Sequence, residues 1–168
     1  MRESALGSVF IFQKRGIGLD NYKSKESLSR VVMNQTFEDM KEIVRKNPFA
    51  QHIGMELLEV TEGYALGRIR LAKQYENIYG GMHGGCAYSL ADTLSGIAAS
   101  TYREYVTMLD ASMNYLLPVE HTEYVYCKAR VLRHGRKITV VRVELLNDEQ
   151  TLLIDGSFTF YSIRKRDE

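Results

Sequence analysis

Residues 80–85 read GGMHGG, and the stretch CAYSLADTLSG that follows carries one carboxylate, Asp92, among small side chains. If residues 84–102 form a helix, Gly84 and Gly85 fall in its first turn. Backbone N–H groups there lack intrahelical acceptors, and the dipole end is positive. Glycine at that point lets a ligand approach the backbone closely. Gly84 and Gly85 are therefore expected to present N–H donors to an oxygen that becomes negative, as in attack on an acyl carbon. One such donor is worth about 2.7–4 kcal/mol of transition-state stabilisation. A carboxylate supplies the complementary chemistry, as base or nucleophile. Asp92 lies roughly 12 Å along the helix from Gly84 at 1.5 Å per residue, too far to share a substrate atom. A compact site then needs a second copy of the helix running the opposite way.

The helix must offer these residues on a face other than the one that packs. At about 100° per residue, Ala87, Leu90, Ala91, Leu94, Ala98 and Thr101 form one stripe, which is expected to face a sheet. Asp92 falls off that stripe, near Ser89, Gly96 and Ala99, on a face of small residues that admits close approach. Upstream, MNQTFEDMKEIVRKNPF predicts a helix with Thr36 as its N-cap, Phe37, Met40, Ile43 and Val44 as its stripe, and Pro48 as its end. MELLEVTEGYALGRIRL (55–71) reads as two extended runs around a Thr-Glu-Gly turn. After the long helix come four β-like runs, 106–117, 123–133, 138–147 and 151–163, rich in Val, Ile, Thr and Tyr. Hairpin-length separators between consecutive runs imply an antiparallel sheet, and one long helix suffices to cover a face. The expected class is α+β.

Length and charge bound the rest. With 168 residues the chain suits one domain: 33–168 as a single core domain, with 1–32 an N-terminal extension of irregular texture. The 22 basic and 21 acidic residues nearly cancel, so no partnership with nucleic acid or a membrane surface is expected. No apolar run reaches spanning length. The two cysteines, Cys86 and Cys127, lack metal-ligand spacing and fit a reducing cytoplasm. Neither a metal nor a cofactor is expected.

The motif N-x-x-G-x-x-H-G-G followed by S-L-A-D, carried by Asn77, His83, Gly84, Gly85 and Asp92, resembles the hotdog-fold acyl-CoA thioesterases of the phenylacetate-pathway and thioesterase-superfamily-member-2 type. NYLLP (114–118) and VLRHGRKI (131–138) fit the later strands of that family. The resemblance spans about residues 48–163. It implies a sheet wrapped around one long central helix. It also implies a homodimer joined along the strand at 106–117, and a pairing of dimers into a tetramer. The Gly84 N–H would polarise the thioester carbonyl, and Asp92 of the neighbouring subunit would be nucleophile or general base. Asn77 would help position the carbonyl or water, and His83 would hold the turn. Relatives carry a serine or threonine that helps hold the lytic water where this chain has Met108. Either Thr107 serves after a shift of one residue, which changes the face of a strand, or other groups hold the water.

Tyr79, Met82, Met108 and Tyr88 would suit a medium-chain or aryl acyl group. Arg136 and Lys137, at a hairpin tip, read equally well as solvated or as a grip on the phosphates of coenzyme A. Cys86 sits where a thiolate would be favoured, but buried cysteine is the simpler reading. His121 and His134 read as solvated turn residues, and His52 as lying outside the site. The leading function is acyl-CoA hydrolysis. A non-catalytic acyl-CoA sensor is the alternative, and the HGG…D arrangement argues against a dehydratase.

Overall fold

The computed structural model describes residues 37–165. The boundary expected near residue 33 and the cap expected at Thr36 lie outside those residues. Helix α1 covers 37–46. Pro48 does more than end it. Asn47 breaks the helix and caps a second short one, α2 (Pro48–His52), its Oδ1 accepting the Phe49 and Ala50 N–H groups at 3.0 and 3.2 Å. Proline at the first helical position needs no N–H partner, so Pro48 starts α2 at no cost.

Strands β1 (Glu56–Thr61) and β2 (Tyr64–Arg70) form the first hairpin, and a short 3₁₀ turn (Lys73–Tyr75) leads into the motif loop. Helix α3 (Gly84–Ser100) is followed by β3 (Glu104–Tyr115), β4 (Tyr124–His134), β5 (Ile138–Leu146) and β6 (Leu152–Lys165). All pairings are antiparallel, in the order β1-β2-β4-β5-β6-β3. Expected and observed strands agree to within a few residues. The sheet curls around α3 as a hotdog fold does.

The helix packs through the stripe its periodicity requires. Leu90, Leu94, Ala87, Ala91 and Ala98 are buried against Ile69, Val125, Val141, Val143 and Phe158 of the sheet. Burying each leucine contributes about 1.5–3 kcal/mol. Gly67 in β2 makes close packing possible, because a Cβ there would stand 2.9 Å from Leu94 Cδ2 and 2.8 Å from Glu56 O.

One irregularity matters for the site. β3 pairs only with β6 and lies at the sheet edge, and its register slips between Met108 and Asp110. Leu109 is the extra residue, 57% exposed. Side chains of a strand alternate between faces, so one inserted residue switches which positions point inward. Val106 and Met108 turn toward α3 before the bulge, and Ala111, Met113 and Tyr115 turn toward it after. Without the bulge, Met108 and Tyr115 would stand on opposite faces.

Candidate active site

The loop from Tyr75 to His83 is tied to its surroundings before the helix begins. His83 N–H donates to Tyr75 O at 2.7 Å, and Met82 N–H to Val119 O at 2.8 Å. Asn77 closes the loop on itself. Its N–H donates to Gly81 O at 2.7 Å, its Oδ1 accepts the Tyr79 N–H at 2.8 Å, and its Nδ2 donates to Met82 O at 3.4 Å. Both ends of the amide thus brace the turn that delivers His83. Met82, expected to line a substrate pocket, is instead 4% exposed and part of the core. Tyr79 stands 86% exposed on the outside of the loop.

His83 is the N-cap of α3, and its Nδ1 accepts the Gly85 N–H at 3.0 Å. An accepting Nδ1 places the proton of the neutral ring on Nε2. Cys86 and Ala87 N–H groups donate to His83 O at 2.8 and 3.3 Å. This corrects one expectation: Gly85 is not a free donor, because the histidine caps it. Among the described residues, Gly84 is left as the first-turn N–H without a protein acceptor. Its carbonyl accepts the Tyr115 hydroxyl at 3.0 Å, and a Cβ on Gly84 would come within 3.3 Å of the Tyr115 ring.

Gly84, Tyr88 and Asp92 follow one another at helical spacing, on the side of α3 that meets β3. The Tyr88 hydroxyl lies 3.6 Å from Met108 Sδ. Burial, and then the negative charges of Asp92 and Asp110, raise the Tyr88 phenol above its ordinary pKa. Asp92 is half-buried, and the loss of water around it raises its carboxyl above the ordinary value of 3.8. It opens onto a cavity of about 410 Å³ whose walls include Met108 and Val106. Thr107, between them, is exposed and pairs with Tyr161 on the outer face. Within the protomer it points away from the Asp92 cavity, where Met108 and Val106 are the β3 side chains.

His83 and Gly85 line a different cavity, of about 390 Å³, with Phe49, Tyr75, Cys86 and His52. His52, expected outside the site, stands in this wall. Burial pushes the Cys86 thiol up, which disfavours a thiolate nucleophile. His134 is not merely solvated: its ring stacks on Tyr102 with centroids 3.9 Å apart and bonds Thr139 Oγ1 at 2.9 Å. Tyr102 follows the C-terminal end of α3, so the Arg136–Lys137 hairpin lies at the opposite end of the helix from Gly84. Lys137 Nζ reaches Ser162 O at 3.5 Å and sits over the Tyr161 ring. Among the described residues there is no cluster of three or more His, Cys, Asp or Glu that could hold a metal. None of their helices is long and apolar enough to cross a membrane.

Known proteins resemble this chain in sequence and in fold. The thioesterase superfamily profile matches residues 79–154, from within the motif loop through α3 and β3 to β5 and into the start of β6. A conserved protein of Pseudomonas aeruginosa is 30% identical and superposes with a TM-score of 0.66 over 70% of this chain and 94% of that one. The PaaI protein of the Escherichia coli phenylacetic acid degradation operon superposes with a TM-score of 0.76 over 80% of this chain and 97% of its own, at 19% identity. Human acyl-coenzyme A thioesterase 13 is 24% identical over 70% of this chain and 86% of its own. The chain belongs to the thioesterase superfamily and carries its hotdog fold.

Proposed function

We propose that this protein hydrolyses acyl-CoA thioesters in a site shared by two subunits whose α3 helices run in opposite directions. The observation that carries the reading is the state of the first turn of α3. Gly85, Cys86 and Ala87 all donate to His83, while the Gly84 N–H has no acceptor among the described residues. That N–H would hold the thioester oxygen as it becomes negative. The partner subunit's Asp92 either takes the proton of an attacking water or attacks the acyl carbon itself; in both roles it must be ionised. Collapse of the tetrahedral intermediate breaks the carbon–sulfur bond, and coenzyme A leaves as thiol after gaining a proton.

The distance along one helix favours this sharing, since Asp92 and the Gly84 turn open onto separate cavities within one protomer. β3, an edge strand with exposed Tyr105, Leu109 and Tyr115, suits the contact between subunits. Pairing of dimers into a tetramer follows from the family resemblance. The Tyr88 hydroxyl, against Met108, supplies the polar group near Asp92 that β3 does not. Arg136 and Lys137 would meet the phosphates of coenzyme A from the subunit that contributes Asp92.

Met108 in place of a hydroxyl is what favours the second reading, an acyl-CoA binder without turnover. Free thiol release from a panel of acyl-CoAs, followed with a thiol reagent, separates the two. Hydrolysis by the wild type that is lost in Asp92→Asn supports the enzyme. Tight binding with no thiol release supports the binder.

A further inference from the structure

The cavity beside Asp92 has a definite shape. Asp92, Gly96 and Ser100 line it in succession along α3, and their four-residue spacing keeps them on one face. They make a groove of small residues running roughly 12 Å from the carboxylate toward the end of the helix. A Cβ on Gly96 would lie 3.8 Å from the Phe160 ring, so that ring flanks the groove at its midpoint. Met40 and Ile43 of α1 and Met108 of β3 complete it.

Two of the polar side chains in this lining are already engaged, which leaves Asp92 at one end of the groove and the small hydroxyl of Ser100 at the other. Thr93 Oγ1 donates to Ser89 O at 2.9 Å, and Asn47 Oδ1 caps α2. Among the described residues of the lining Asp92 is the only charged one, and it stands at one end. We infer that this groove receives the acyl chain and selects unbranched, uncharged chains of medium length; the inference rests on Asp92 being the hydrolytic carboxylate.

An extended alkyl chain with C–C bonds of about 1.5 Å advances about 1.3 Å per carbon. A groove of roughly 12 Å therefore takes about nine carbons. A carboxylate at the far end of the acyl chain would meet no cation among the described residues of the lining, and burying it unpaired is costly. Methionines at positions 40 and 108 adapt to a flexible chain better than to a rigid ring.

The test is kcat/KM for straight-chain acyl-CoAs from acetyl to palmitoyl, with phenylacetyl-CoA alongside, in wild type, Gly96→Leu and Ile43→Trp. Ile43 is 44% exposed, so Ile43→Trp keeps the test decisive if Gly96→Leu does not fold. The wild type is expected to peak at octanoyl or decanoyl. Each variant is expected to lower the decanoyl-to-butyryl ratio by roughly tenfold or more. Variants that scale all lengths alike, or a preference for phenylacetyl with no response to either substitution, would overturn the groove while leaving hydrolysis intact. If the wild type cleaves no thioester, calorimetric binding of S-decyl-CoA and S-butyl-CoA decides. A length preference erased by Gly96→Leu supports the groove although hydrolysis fails; no preference overturns both.

Discussion

Tyr115, the last residue of β3, donates its hydroxyl to the Gly84 carbonyl at 3.0 Å, with its ring packed against the glycine. The sheet edge thereby fixes the Gly84–Gly85 peptide in the first turn of α3; in the proposed mechanism Tyr115 is a positioning residue that acts on the Gly84 N–H through this neighbouring peptide. Tyr115→Phe keeps the ring and removes one hydrogen bond. The expected fall in kcat/KM is roughly threefold to tenfold, from a bond worth about 0.5–1.5 kcal/mol. The melting temperature should fall by no more than several degrees. Unchanged kinetics in a folded Tyr115→Phe protein would show that this bond does not position the turn.

The His83 ring holds the same turn from the other side. His83→Ala should cost about 1 kcal/mol of stability, the usual worth of an N-cap. His83→Asn, whose side-chain oxygen can accept the Gly85 N–H, should restore most of it. Thermal unfolding of the pair checks this. Equal losses in both variants would mean that the cap contributes nothing and the ring stabilises by other contacts.

Asp92 makes a prediction with a definite sign. Burial raises its carboxyl above 3.8, so the folded protein binds this proton more tightly than the unfolded chain does. The charged carboxylate therefore costs stability above the raised pKa, and the cost disappears as pH falls below the unfolded value. Asp92→Asn should melt no lower than wild type at neutral pH, with the difference shrinking toward acid. If the ionised form reacts, the acid limb of the kcat/KM profile lies above the ordinary carboxylate range. A limb at or below that range would remove Asp92 from the reaction.

Thr107 and Met108 are adjacent but face opposite ways. Thr107→Ala should leave kcat/KM within about twofold of wild type, as exposed substitutions generally do. Met108→Ala, which alters a wall of the Asp92 cavity, should change it more. A large loss in Thr107→Ala alone would mean that the outward face takes part in the site.

The order of elements was legible because each strand run is bounded by strong turn signals and the α3 stripe is unbroken. The site was legible only in part. His83 as the holder of the turn came from a resemblance; that it does so by capping Gly85 is a matter of ring geometry that composition does not encode. Met82 reads as a pocket residue until the loop is closed by Asn77, which sends it into the core. The roles of Tyr115 and Thr107 depend on the Leu109 bulge, and nothing in EYVTMLDASMNY marks where the extra residue falls. NYLLP carries that tyrosine, but only the bulge turns it to the Gly84 side.

Subunit complementation tests the central claim most directly. Gly84→Pro removes the N–H donor and is sterically allowed in a first turn; Asp92→Asn removes the base or nucleophile. Each variant alone should be nearly inactive toward acyl-CoA. Mixed oligomers made by unfolding and refolding the two together should contain sites with an intact glycine from one chain and an intact aspartate from the other. Random pairing would then return roughly a quarter of wild-type activity. Mixed oligomers, verified by differential tagging, that remain as inactive as either parent would contradict a site shared between Gly84 and Asp92 of different subunits.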